Sequence, residues 1–128
     1  MLSKNEIRSY RDLTVWQLGM QITEDVYKLT SHFPTEEKFG LTSQLRRASA
    51  SVPANIAEGH ARASTKDYLR HLSIAVGSLA EVTTFLELSE RLQFAKPESI
   101  TGLLDLIREK RRMLRGLQNS LRQRLTRQ

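Results

Sequence analysis

Four stretches of this chain repeat apolar side chains at helical spacing, and none alternates them at the two-residue period of a strand. The third is the most regular. Tyr68, Leu72, Ala75, Leu79, Val82 and Leu86 follow alternating four- and three-residue steps, the seam of a coiled-coil-like helix. Leu69, Val76 and Ala80 widen that seam. A helix over about 65–92 is ~40 Å long at 1.5 Å per residue. Ser64 or Thr65 serves as its cap, with Asp67 in the first turn.

The first stretch, about 10–31, carries two stripes. Val15, Leu18, Ile22, Val26 and Leu29 form one, and Trp16, Met20, Thr23 and Tyr27 form its neighbour. That face is wider than packing on a single partner requires. His32-Phe33-Pro34 ends the helix, since the residue before a proline leaves helical geometry. The second stretch, about 36–62, takes Thr35 as N-cap and Glu36 and Glu37 in its first turn. Leu41, Leu45, Ala48, Val52 and Ile56 form its core stripe, and Ala50, Ala54, Ala57 and Ala61 form a second stripe suited to close helix approach. Pro53 falls inside this pattern. Either the helix kinks there and continues, or it ends near Ser51 and restarts; the unbroken periodicity favours the kink. The fourth stretch, about 97–126, opens on Pro97 and aligns Ile100, Leu103, Ile107, Leu114, Leu121 and Leu125. All the connections are short, so the expected fold is all-α: an up-down-up-down antiparallel four-helix bundle, with residues 1–128 as one domain.

Composition excludes several chemistries. The chain has no cysteine, so disulfides, thiolate zinc sites and cysteine nucleophiles are out. The longest uninterrupted apolar runs are a few residues, far below the ~20 of a membrane span, and Met1-Leu2-Ser3-Lys4-Asn5-Glu6 leads into no signal-like segment. A cytoplasmic protein without membrane contact is the expectation. Di-iron bundles use Glu-x-x-His, but the residues three before His32, His60 and His71 are Leu29, Ala57 and Tyr68. Asp67 and His71 stand four apart, a spacing more common in a surface hydrogen bond than in a metal site. No nucleophile elbow or phosphate-cradling glycine loop appears. No enzyme activity, cofactor, metal or small-molecule substrate is expected.

The charge is +6 and unevenly placed. From Asp105 onward, Arg108, Lys110, Arg111, Arg112, Arg115, Arg122, Arg124 and Arg127 face only Asp105 and Glu109, while the first 104 residues balance. At 100° per residue, Arg108, Arg111, Arg112, Arg115 and Arg122 share an arc of about 100° beside the apolar stripe. Such an edge can grip successive phosphates of RNA or another nucleic acid. It can equally be a solvated face that keeps an adaptor protein soluble. No aromatic residue interleaves with these arginines, so backbone- and shape-driven contact is expected, not base stacking. A separate feature is Ser51-Val52-Pro53-Ala54-Asn55-Ile56-Ala57-Glu58-Gly59, where polar Asn55 and Glu58 interrupt small and apolar residues. They either meet a ligand or subunit, or satisfy backbone groups freed by Pro53; the second is the simpler reading.

Several motifs carry a resemblance: Leu13-x-Val15-Trp16-Gln17, Phe33-Pro34-x-Glu36-Glu37, Phe39-Gly40-Leu41-x-x-Gln44-x-Arg46-Arg47, the Ser51–Gly59 stretch and Ala75-x-Gly77-Ser78-Leu79-x-Glu81. Over about residues 7–93 the chain resembles the four-helix-bundle proteins of 23S rRNA intervening sequences, related to accessory proteins of diversity-generating retroelements. The motif residues Trp16, Gln17, Gln44, Pro53, Asn55, Glu58 and Gly59 carry most of it. The resemblance implies a ring-shaped homopentamer with a basic surface suited to nucleic acid and no established enzymatic activity. The fourth stretch matches in length and character only, so it brings no binding role to the arginines. The excess apolar and alanine stripes of the first two helices independently point to subunit contacts.

Overall fold

The computed structural model describes residues 7–127. Four α-helices run antiparallel in sequence order: α1 (Thr14–Thr30), α2 (Leu41–Ala61), α3 (Thr65–Arg91) and α4 (Pro97–Thr126). Each packs on its two neighbours, most extensively α2 on α3, and α4 closes the square against α1. The protein is an all-α four-helix bundle. Ile22, Val26, Leu45, Val52, Ile56, Leu72, Leu79, Leu86, Ile100 and Leu114 are fully enclosed between the helices. By length and composition α3 could cross a bilayer, but its seam faces the other helices.

Two helix starts differ from the periodicity. Residues 10–12 form a separate 3-10 turn because its polar groups close on themselves. The Asp12 carboxylate accepts the N–H of Arg8 at 2.9 Å, and Ser9 Oγ accepts that of Arg11 at 3.2 Å. Leu13 is then extended, and α1 starts after it. Residues 35–37 form a second 3-10 turn, so Thr35 does not cap α2. Gly40 precedes the helix without a side-chain cap, and Glu37 reaches forward instead, its Oε1 accepting the Leu41 N–H at 3.0 Å. Both acids expected in the first turn of α2 thus lie before it, with Glu37 still serving the exposed N–H groups there.

The other ends follow local chemistry closely. Ser64, not Thr65, caps α3 by accepting the Asp67 N–H at 3.0 Å. At the far end Gln93 takes a left-handed φ of 62°, letting Gln93 N–H bond Glu90 O and Phe94 N–H bond Ser89 O. That reversal turns Phe94 onto Phe33, ring centroids 5.6 Å apart, sealing one end of the core.

α2 is continuous through Pro53. A proline leaves the carbonyl four residues earlier without its helical donor. Here that carbonyl is Ser49 O, and the Thr23 hydroxyl of α1 lies 3.0 Å from it and 2.8 Å from Gly19 O. Asn55 and Glu58 therefore do not repair the break, contrary to the simpler sequence reading. A residue from the neighbouring helix does.

Candidate nucleic-acid interface

Arg108, Arg111, Arg112, Arg115 and Arg122 are all exposed on α4. Arg108 donates to Asp105 at 3.1 Å and Arg122 to the Asn119 side chain at 3.3 Å. Arg111, Arg112 and Arg115 form no ion pair among the described residues. Lys110 leaves this group. It is fully buried, its ammonium nitrogen has no hydrogen-bond partner, and it lies against Gly19 of α1 beside Pro53 of α2. Burial lowers its pKa from 10.5 to about 7.

Antiparallel packing redistributes the remaining charge. The level where Gly19 meets Pro53 and Lys110 divides the bundle into two ends. One end gathers the start of α1, the α2–α3 connection and the last turns of α4. It holds eleven basic residues (Arg8, Arg11, Arg62, Lys66, Arg70, Arg111, Arg112, Arg115, Arg122, Arg124, Arg127) against three acidic ones (Asp12, Glu58, Asp67). In the rest of the described chain eight basic residues, Lys110 included, face ten acidic ones. The whole positive excess thus sits at one end, and the rest of the described chain is slightly acidic. It does not run the length of α4, because it begins past Lys110 and leaves Arg108 outside.

Of the motif residues of the second stretch, Gln44, Asn55, Glu58 and Gly59 line the α2–α3 seam, whereas Pro53 faces α1. Asn55 Nδ2 donates to Ser51 O at 2.9 Å and lies 3.0 Å from Ser51 Oγ, which the Ser78 hydroxyl meets at 2.9 Å. This leaves Asn55 Oδ1 facing His71 Nδ1 at 3.0 Å, so Nδ1 carries the hydrogen and donates it. His71 is buried, not the surface partner of Asp67; Asp67 lies 4.0 Å from Arg70. Glu58 accepts from Arg62 at 2.7 Å, and that bond holds its carboxyl below the usual carboxylate value, with burial opposing and His71 adding a smaller pull. Gly59 packs its backbone against His71 and Tyr68. Gln44 is exposed at the other end of the seam, beside Arg47, Ser51, Ser78 and Glu81.

The second stripe of α1 and the alanine stripe of α2 meet at an open groove. Tyr10, Trp16, Met20, Thr23, Tyr27, Ala50, Pro53, Ala54 and Ala57 line a space of about 510 Å³. Met20 and Tyr27 remain 44% and 46% exposed there. Trp16 sits edge-on to Tyr10 with centroids 5.3 Å apart, and Gln17 fixes the entry turn by donating to Arg11 O at 2.9 Å. The alanines therefore form one wall of a surface groove, and do not bring two helices of this bundle together. Among the described residues no three His, Asp or Glu side chains converge as a metal site.

Residues 11–116 match the family model described as the 23S rRNA-intervening sequence protein. The match runs past the motif-bearing stretch into α4 as far as Gly116. No curated protein matches the chain. Among solved structures, the chain is similar to a protein of unknown function from the S23 ribosomal protein family of Bacteroides thetaiotaomicron VPI-5482. The identity is 22%, the alignment covers 81% of this chain and 97% of that one, and the TM-score is 0.73. At that identity the likeness speaks for the fold.

Proposed function

The chain belongs to the 23S rRNA-intervening sequence protein family, and from that premise we propose that it is a non-enzymatic homo-oligomer that contacts RNA through the arginines of α4. The observation that carries the RNA reading is the exposure of Arg108, Arg111, Arg112, Arg115 and Arg122 on one face of one long helix. Guanidinium groups held on a rigid element suit phosphate oxygens, and they contribute no sequence discrimination of their own. The test is a salt titration of RNA affinity for the wild type against Arg108→Gln/Arg112→Gln/Arg115→Gln/Arg122→Gln. Glutamine keeps helix propensity nearly unchanged. Each lost contact to single-stranded RNA flattens the log–log salt slope by about 0.7, so the fourfold variant should lose up to about 3 in slope. Equal slopes and equal affinities would leave the arginines as a solvated face and favour an adaptor that meets protein partners.

The apolar groove between α1 and α2 supports the oligomeric part of the proposal, because a surface of this kind normally finds a cover. A cyclic assembly, the five-membered ring implied by the family resemblance, supplies one from a second copy. Ala54 is exposed in that groove. Ala54→Glu should shift light scattering from oligomer to monomer at unchanged helicity. A wild-type monomer at micromolar concentration would remove the assembly from the proposal.

A further inference from the structure

We infer that RNA is taken by the basic end of the bundle, with Arg62, Lys66 and Arg70 of the α2–α3 connection sharing the phosphate contacts with the C-terminal arginines of α4. The inference rests on the RNA reading above and moves its centre. That reading follows a single helix edge, whereas the folded chain concentrates its excess charge where three segments distant in sequence converge.

Several contacts bring those segments together. Leu121 of α4 is buried against the bundle, and Gln118 reaches Ser73 of α3 at 3.4 Å. Tyr68, between Lys66 and Arg70 in sequence, feels the charge of Arg124; burial raises its phenol pKa, and Arg124 pulls it down. The side chains of Arg62 and Arg70 stay about half exposed, and so do their acidic neighbours Glu58 and Asp67. Pairs of that kind, three or four residues apart on one helix, hold weakly and exchange readily for a phosphate. Arg108, by contrast, lies outside that end and already has Asp105 at 3.1 Å. The field that draws a polyanion is therefore strongest at the end and weak along the first half of α4.

The experiment compares two variants in the same RNA salt titration, each first matched to wild type in helicity and size. Arg62→Gln/Lys66→Gln/Arg70→Gln touches no residue of α4; Arg47→Gln/Arg91→Gln removes two exposed basic residues outside both the basic end and the α4 edge. The first should lose about 2 in log–log slope and roughly tenfold or more in affinity at moderate salt. The second should stay within about twofold of wild type. A triple variant that binds like wild type, or a double variant that loses as much as the triple, overturns the inference. If the fourfold α4 variant weakens binding while the triple does not, the RNA reading stands and only the basic end fails. If neither changes binding, both fall.

Discussion

Lys110→Met should make the bundle more stable at pH 7, by about 2–4 kcal/mol, and flatten its dependence on pH. The lysine is fully enclosed, its nitrogen has no partner, and burial alone drives its pKa down to about 7. In the unfolded chain the same group titrates near 10.5. Between those values the unfolded state binds a proton that the folded state does not, so stability rises as pH rises through that window. Below about pH 7 both states are charged and the whole penalty is present. Each tenfold difference in proton affinity is worth ~1.4 kcal/mol, so the wild type should gain roughly 4 kcal/mol from pH 7, where the folded lysine is already half neutral, to pH 10.5 through this group. Methionine keeps the length and flexibility of the stem without the amine. Urea midpoints of both proteins at pH 7 and pH 9.5 test this. A wild type no more stable at the higher pH, or a variant no more stable than wild type at pH 7, would show that Lys110 finds water or a partner in solution.

Lys110 also marks the limit of reading charge along the chain. It counts as one of eight basic residues after Asp105, yet it stands three residues after Ile107 and four before Leu114, in register with the apolar stripe. That register was the available signal for burial. Opposite it Gly19 has no side chain, and a β-carbon there would meet Lys110 Nζ at 3.2 Å. The lysine and the glycine are ninety-one positions apart, and only the pairing of α1 with α4 makes them complementary. The same holds for Thr23 and Ser49 O: Pro53 announces an unserved carbonyl, but nothing local names its donor.

Helix number, order and core were legible because each rests on periodicity within one segment. Ile22, Val26, Leu45, Val52, Ile56, Leu72 and Leu79 all fell on predicted stripes and are buried. The spare stripe of α1 and the alanines of α2 were legible as surplus surface, and they do face each other across a groove. The two early helix starts were missed because a stripe cannot distinguish a 3-10 turn from the first turn of an α-helix. The basic end was missed for a deeper reason. Arg8, Arg62 and Arg124 lie in segments that look unrelated until antiparallel packing brings one end of each helix to the same place. Asn55 and His71 likewise become partners only when α2 lies on α3.

That seam carries the last large effect. Gly59→Ala should destabilise the protein by about 1–3 kcal/mol although alanine is the better helix former by ~1 kcal/mol. A β-carbon at Gly59 would lie 2.8 Å from His71 Cβ, 3.0 Å from the Tyr68 ring and 3.3 Å from Tyr68 O. Two of those neighbours, a β-carbon and a backbone oxygen, cannot swing aside. α3 must move away from α2, and the Asn55–His71 bond of 3.0 Å stretches with it. Gly77 provides the opposite sign. It lies exposed within α3 with nothing within 4 Å of the added β-carbon, so Gly77→Ala should stabilise by about 1 kcal/mol through propensity alone. The two variants add the same methyl group to the same fold, and only the distance to the neighbouring helix differs. Urea midpoints moving in opposite directions at unchanged slope are the expected result. If both rise together, α2 and α3 have room between them at Gly59, and the close approach there does not hold in solution.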